Sequence, residues 1–489
     1  MTSRSYRDAV DCLNSLQSNA ATLEAVRASG GRLSEFAIPE MIEYLQRIGH
    51  NLNQLNVIHI TGTKGKGSTS AFVDSLLRTA HPEWKVGLYT SPHLVAVRER
   101  IRVGGAPLSE DVFTKYFFEV WDRLKANTKT AHPQTPIMPG YFRFLTLLAY
   151  HTFLDLKVRT YAWKLTNIVP KPIVTGITAL GIDHVNVLGK TLREIAWQKG
   201  GIFKKGVPAL TVEQPEDALE VLKGQAIELE LGRLFVPAMH RVSETSAGLS
   251  GSHQYQNATL AVHLAKRFLT AQTSESYEAE LPAILAEGLQ KTKWPGRCQT
   301  VFDPARSRVT WFLDGAHTRE SLDCCMDWFV SPDTVLRAKE TTLGRTRVLI
   351  FNCTNGRSGG DFLGGMLAKA TEKLKALAED LDAKVLFDRV IFCANVTYAN
   401  GGFKGDLTTK AIATDDLAQL KTQNELASAW LSLVPLFPKE HVHVLPSIEH
   451  AVNVVNDLGT DQEVDVLVAG SLHLVGGLIE VAGLSDVAL

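Results

Sequence analysis

The stretch His59-Ile60-Thr61-Gly62-Thr63-Lys64-Gly65-Lys66-Gly67-Ser68-Thr69 decides how the chain is read. It follows an apolar, β-branched run, Val57–Thr61, and opens a helix-like stretch, Ser68–Ala80. Strand, glycine turn and helix in that order turn backbone N–H groups toward one point. The helix N-terminus adds partial positive charge there. Such a point binds phosphate. Lys66 has the reach for the outer phosphates of a nucleotide, and the Ser68 hydroxyl falls where a magnesium ion would sit. The usual phosphate loop has Ser or Thr directly after Gly-Lys. Here Gly67 intervenes, so the pattern is Gly-Thr-x-Gly-Lys-Gly-Ser.

Outward from this loop, strand-like and helix-like stretches alternate in the manner of βαβ units. Val86–Thr90, Ile173–Thr178 and Val207–Val212 read as strands. Ser109–Ala126, Tyr141–Leu154, Leu192–Lys199 and Glu278–Lys291 read as helices. Trp294-Pro295-Gly296-Arg297 then supplies turn chemistry, after which Val309–Leu313, Arg347–Asn352, Val390–Ala394 and Val464–Ala469 read as strands. The expected organisation is a phosphate-loop α/β domain over residues 1–296 and a smaller Rossmann-like α/β domain over 297–489. The Thr- and Pro-rich loop Asn127–Pro139 is the expected insertion.

A chain of 489 residues exceeds one ordinary core. Its 45% apolar and 21% charged composition is that of a soluble globular protein, and a net charge of -1 gives no basic field for nucleic acid. An anion must therefore be held by local geometry. The six cysteines form no Cys-x-x-Cys pair, which reads as reduced thiols in an intracellular protein. Met1–Ala20 lacks an apolar core for secretion. The apolar run Val464–Leu484 contains Asp465, His473, Glu480 and several glycines, so it reads as a buried strand and turn rather than a membrane span. The expectation is a cytoplasmic protein, with a mitochondrial pool if an upstream start adds a leader.

Gly-Thr-x-Gly-Lys-Gly-Ser resembles the phosphate loop of the Mur ligase superfamily, and further stretches are similar to the eukaryotic folylpolyglutamate synthases. They include Tyr89-Thr90-Ser91-Pro92-His93-Leu94 with Arg98-Glu99-Arg100-Ile101-Arg102, Phe142-Arg143-Phe144-Leu145-Thr146 and Gly181-Ile182-Asp183-His184. Ile195–Lys204, His253-Gln254-Tyr255-Gln256-Asn257-Ala258, Leu313-Asp314-Gly315-Ala316-His317-Thr318 and Gly470-Ser471-Leu472-His473 continue the series. The resemblance implies a Mur-ligase-type fold and an ATP-dependent ligase. Such an enzyme phosphorylates the γ-carboxylate of a reduced folate and lets the amine of L-glutamate attack. By position it implies that Gly62, Gly65, Lys66, Gly67 and Ser68 cradle the phosphates of ATP. Ser91 and His184 would hold Mg2+, and Lys199 matches a lysine that is carbamylated in some relatives. Arg297, Asp314 and His317 would meet ATP from the second domain, with closure between the two. Small-molecule substrates and a monomer complete the expectation. Dihydrofolate synthase, on the same fold, is the alternative activity.

One segment departs from the family. Where the family has a strand ending in Glu-Val-Gly-x-Gly-Gly, this chain has Arg159-Thr160-Tyr161-Ala162-Trp163-Lys164-Leu165, with no acid and no glycine. The missing glutamate would be the one carboxylate among the implied magnesium ligands, an ion that prefers hard oxygen donors. Either the coding segment is mis-joined, or the chain is a catalytically impaired homologue that binds ATP or folate. Asp183 and Asp155 are the nearest acids that could stand in.

Overall fold

The structure is a computed structural model describing residues 4–17, 37–51, 55–130, 135–158, 160–163, 167–183, 185–231, 234–237, 247–275, 277, 281–336, 345–353, 358–379, 381–401, 406, 419–458 and 462–489. Residues 160–163 and 186 are described by backbone alone. The chain divides into two compact units. Unit 1 comprises Met1–His93, Arg98–Gly248 and Gln254–Thr292, and unit 2 comprises Leu94–Val97, Leu249–His253 and Lys293–Leu489.

In unit 1 the elements run α1 (Tyr6–Ser15), α2 (Ala37–Arg47), β1 (Asn56–Thr61), α3 (Lys66–Ala80), β2 (Val86–Tyr89), β3 (Ile101–Val103) and β4 (Ala106–Pro107). Then follow α4 (Glu110–Ala126), α5 (Tyr141–Asp155), β5 (Thr160–Trp163), β6 (Val174–Ile177), α6 (Leu192–Gly200), β7 (Ala209–Thr211), α7 (Glu216–Glu228), α8 (Gln254–Gln272) and α9 (Ala283–Gln290). The sheet order is β4-β3-β2-β5-β1-β6-β7, parallel apart from the β2-β3-β4 meander. Val57, Ile58 and Ile60 of β1 are fully buried, as a strand covered on both faces requires. Two of the helices, α4 and α6, start at oxygen-bearing caps. Ser109 accepts from Val112 N, and Thr191 and Glu194 close a reciprocal box.

The segment that departs from the family forms β5, between β1 and β2. Thr160 stands opposite both Asn56 and Val86, and Trp163 opposite both His59 and Tyr89. The backbone of the interior strand is thus kept without the acid and glycines.

Unit 2 carries β8 (Gln299–Phe302), β9 (Val309–Leu313), α10 (Arg319–Phe329), β10 (Arg345–Phe351), α11 (Gly359–Ala376), β11 (Arg389–Cys393) and α12 (Lys421–Leu433). It continues with β12 (Val442–Leu445), α13 (Ile448–Asp457), β13 (Glu463–Ala469) and α14 (Leu472–Val481). The sheet order is β12-β11-β10-β13-β9-β8, with β8 alone antiparallel. Alternation along β9 sends Phe312 into one core layer and Trp311 and Leu313 into the other.

Three readings change. After β13 the apolar run forms helix α14, not a turn. Its glycines serve packing, since a Cβ on Gly476 would lie 2.0 Å from the Leu94 carbonyl oxygen and one on Gly477 2.4 Å from Ile448. The expected Glu278–Lys291 helix is the shorter α9, entered through Pro282 at its N-cap. Strands β8 and β12 carry too weak an apolar signal to be expected from sequence, and β12 is only partly buried along its length. Within the Asn127–Pro139 loop, residues 131–134 lie outside the described residues. All six cysteines are free. Among the described residues no helix is long and apolar enough to cross a membrane.

Candidate functional site

Glycine's freedom shapes the loop between β1 and α3. Gly62 has φ +143° and Gly65, at the N-cap of α3, has φ +81°, values that side chains rarely adopt. A Cβ on Gly62 would stand 2.0 Å from Thr178 Oγ1, and one on Gly65 2.1 Å from Asn257 Oδ1. Thr178 fixes the loop from β6 by donating to the Lys64 carbonyl at 2.5 Å. The amides of Thr63 and Lys64 both donate to the Ala179 carbonyl. Gln214 braces this region, its Nε2 donating to the Thr178 carbonyl and its Oε1 accepting from Leu180 N. Asn257 of α8 accepts from Thr69 Oγ1. Helix α3 begins at Lys66, two residues earlier than Ser68, so Lys66 and Gly67 belong to its first turn. Lys66 Nζ donates to the carbonyls of Gly62 and Thr63, each at 2.6 Å. Ser68 is buried.

Ser91 follows β2 on the same carboxyl edge. The register puts His59, Trp163 and Tyr89 at one level, so Thr61 and Ser91, each two residues further, are level too. They stand two strand spacings, roughly 10 Å, apart. Asp183 follows β6 at that edge and pairs with Lys64 at 3.8 Å. Asp155 is at the opposite edge, at the end of α5 before β5 begins, where it accepts from Tyr116. It cannot stand in for the lost acid. His184 lies outside the described residues.

Lys199, in α6, is partly buried, and burial lowers its pKa against the opposing pull of Asp183. Lys204, just beyond, is lowered by burial as well. Asn167, from the Thr-Asn pair after the departing segment, donates to the Gly201 carbonyl at 2.5 Å and steadies the turn carrying both lysines.

Unit 2 gathers Arg297, Asp314, His317 and His253. Both oxygens of Asp314 accept backbone amides at 2.7 Å, from Cys298 and Ala316. This carboxylate therefore shapes the loop after β9 as well as charging it. His317 Nδ1 donates to the Gly315 carbonyl at 2.8 Å. Arg297 Nη1 donates to the Gly296 carbonyl. It would meet a Cβ on Gly315 at 2.6 Å. His253 is lowered by burial, with Asp314 opposing.

Sequence reasoning quoted Asn257 and His253 without giving them a role, and passed over Thr178 and Gln214. Asn257 acts on a loop 188 positions away, a pairing that no local period announces. Among the described residues no three His, Cys, Asp or Glu side chains form a metal-holding group. A magnesium ion carried on nucleotide phosphates asks for few protein oxygens, and the hydroxyls of Ser91 and Ser68 fit that sparse demand.

Comparison with family models finds no match. The chain is similar over its whole length to the folylpolyglutamate synthase of Saccharomyces cerevisiae strain FostersO, at 42% identity and covering 88% of that protein. The protein of strain AWRI796 gives the same figures. Among solved structures it resembles Mycobacterium tuberculosis folylpolyglutamate synthase complexed with ADP and AMPPCP. The TM-score is 0.66 at 21% identity, covering 91% of this chain and 95% of that one. It also resembles the apo form of L. casei FPGS, with a TM-score of 0.67 at 19% identity, covering 98% of this chain and 99% of that one. The structural likeness shows the fold, and the sequence likeness shows the family.

Proposed function

The chain belongs to the folylpolyglutamate synthases, and from that premise we propose that it uses ATP to join L-glutamate to the γ-carboxylate of a reduced folate or folylpolyglutamate. A γ-carboxylate oxygen attacks the terminal phosphorus of ATP, forming an acyl phosphate and releasing ADP. The glutamate nitrogen then attacks the acyl carbon, loses a proton, and expels phosphate as the amide forms. The observation that carries this reading is the left-handed glycine pair Gly62 and Gly65 ahead of α3, which aims backbone amides at one point.

In this reading unit 1, the bulk of residues 1–296, supplies the phosphate cradle of Gly62, Gly65, Lys66, Gly67 and Ser68. Lys66 turns from its own loop carbonyls to the outer phosphates. Magnesium neutralises phosphate charge when bound, and Ser91, with His184, would hold it. Burial, though partial, favours at Lys199 the neutral amine that carbon dioxide requires, which supports a carbamate there. Arg297, Asp314 and His317, from the region 297–489, serve the nucleotide, with Asp314 acting through the loop it shapes. Each sheet is complete within one chain, which supports a monomer.

Incubating the purified protein with ATP, magnesium and labelled glutamate, with tetrahydrofolate and dihydropteroate as parallel acceptors, tests the reading. Labelled product on tetrahydrofolate alone is expected. Product on dihydropteroate alone would make it a dihydrofolate synthase.

The composition of β5 favours a second reading. Its sequence carries no acid at the carboxyl edge, where the family has a glutamate. A protein that binds ATP and folate but releases little phosphate would be the impaired homologue.

A further inference from the structure

Arg100 is 5% exposed, yet among the described residues its guanidinium has no carboxylate partner. Its Nε donates to His93 Nδ1 at 2.8 Å, and among the described residues its buried Nη1 has no hydrogen-bond partner. Other enclosed arginines have carboxylates or several carbonyls to donate to, although Arg47 Nη1 and Arg345 Nε also lack a hydrogen-bond partner among the described residues. Arg345 pairs with Glu463 and Asp465, Arg143 with Glu40, and Arg47 donates to the carbonyls of Leu124, Asn127 and Ile137. A guanidinium has five N–H donors, and burying it unpaired is costly. Its planar fork matches a carboxylate.

The surroundings suit an anion that also has an aromatic part. The Arg100 guanidinium carbon lies 5.6 Å from the Tyr141 ring centroid and 5.4 Å from that of Phe142. Tyr141 is buried, whereas the Phe142 ring is 58% exposed. Both begin helix α5, whose N-cap Gly140 gives no side-chain cap, so the positive helix end stands beside the guanidinium. Arg100 also holds the candidate magnesium loop. Its carbonyl accepts from Thr90 N, and its Nε grips His93, on either side of Ser91-Pro92. An anion held here lies next to the carboxyl edge of β2.

We propose that Arg100 is the specificity residue for the acceptor, receiving the α-carboxylate of its terminal glutamyl residue while Phe142 offers its face to the benzoyl ring. This rests on the function proposed above. A folate carries two carboxylates on its terminal glutamyl unit, one to be activated and one to be held. Dihydropteroate carries a single carboxylate, the one to be activated, so Arg100 selects folates over pteroates. The same α-carboxylate chemistry occurs in the incoming L-glutamate. The exposed ring beside the guanidinium assigns the site to the acceptor.

The test compares folate with pteroyl-γ-aminobutyrate, which lacks only the α-carboxylate. Binding to the full chain is measured by calorimetry with magnesium and a non-hydrolysable ATP analogue, so no turnover is needed. The wild type is expected to prefer folate by about 30-fold or more. Arg100→Met should erase that preference, and Arg100→Lys should keep part of it. Free Arg100→Met should melt no lower than wild type, because it loses a buried unpaired charge. A lower melting point with equal loss on both acceptors would mark a packing role and overturn the proposal. An unchanged preference would overturn it too, as would a raised KM for L-glutamate with the acceptor preference intact. If the wild type binds nucleotide but neither pteroyl compound, the functional reading fails and takes this proposal with it. If folate binds normally and the preference survives in the variants, this proposal fails alone.

Discussion

Each residue of the phosphate loop has a distinct physical burden. Gly65 needs left-handed backbone and leaves no room for a methyl beside Asn257. Gly65→Ala should cost about 1–2 kcal/mol from backbone alone and displace Asn257, with a lower melting temperature and weaker ATP binding. Lys66→Ala should leave the fold intact and weaken ATP retention about 10²-fold, read by equilibrium dialysis, since it removes a charged donor from the outer phosphates. His59 is a different case. It is buried in β1, its Nδ1 has no partner among the described residues, and burial, with Lys204 adding, lowers its pKa to about 3. The folded state prefers the neutral ring, so this stability is full above the ordinary value near 6.5 and lost as pH falls from there toward 3. The loss should be on the order of 4 kcal/mol. Urea midpoints for His59→Val should fall less over that range than those of the wild type. Much of this scale was legible in advance, because Gly62, Gly65 and Lys66 declare a backbone need and a charge. Thr178 and Asn257 were not, because their role comes from strands and helices that meet only on folding.

At the scale of elements, the lesson lies in β5. Its sequence implies a loss of catalytic equipment, and the backbone shows that the strand itself survives, paired on both sides. Parallel pairing asks for backbone amides and carbonyls, which Thr160–Trp163 supplies as well as an apolar run would. The proposed reaction, on the family pattern, asks for an acid at the strand's end, which the segment lacks. Replacing Arg159–Leu165 with an acidic, glycine-rich segment ending in Glu-Val-Gly-x-Gly-Gly should therefore raise phosphate release in the presence of folate and glutamate by about 10²-fold, with little change in circular dichroism. An unchanged rate would mean that Asp183, already at that edge, suffices. Strand and helix identities near the loop were legible from periodicity. Helix α14 was not, since its paired glycines look like a turn and in fact let the helix approach the Leu94 backbone.

At the scale of the molecule, two units with separate cores should not unfold as one. Scanning calorimetry should show two transitions, and ATP should raise the one that contains the phosphate loop more than the other. That the chain would form two α/β bodies was legible from its length and from the Pro-Gly turn. The route of the chain between them was not, because short excursions leave no mark in composition. Leu94 and Val95 sit in the core of unit 2, where Gly296, Val475 and Gly476 close around Leu94. Leu249–His253 belongs to unit 2 as well. No single cut can release the second body whole. A fragment beginning at Arg297 would leave behind the plug of its own apolar socket, and it should aggregate or bind an added peptide spanning Leu94–Val97. Gene fusion and domain exchange, which work on contiguous blocks, would find no clean seam in this protein.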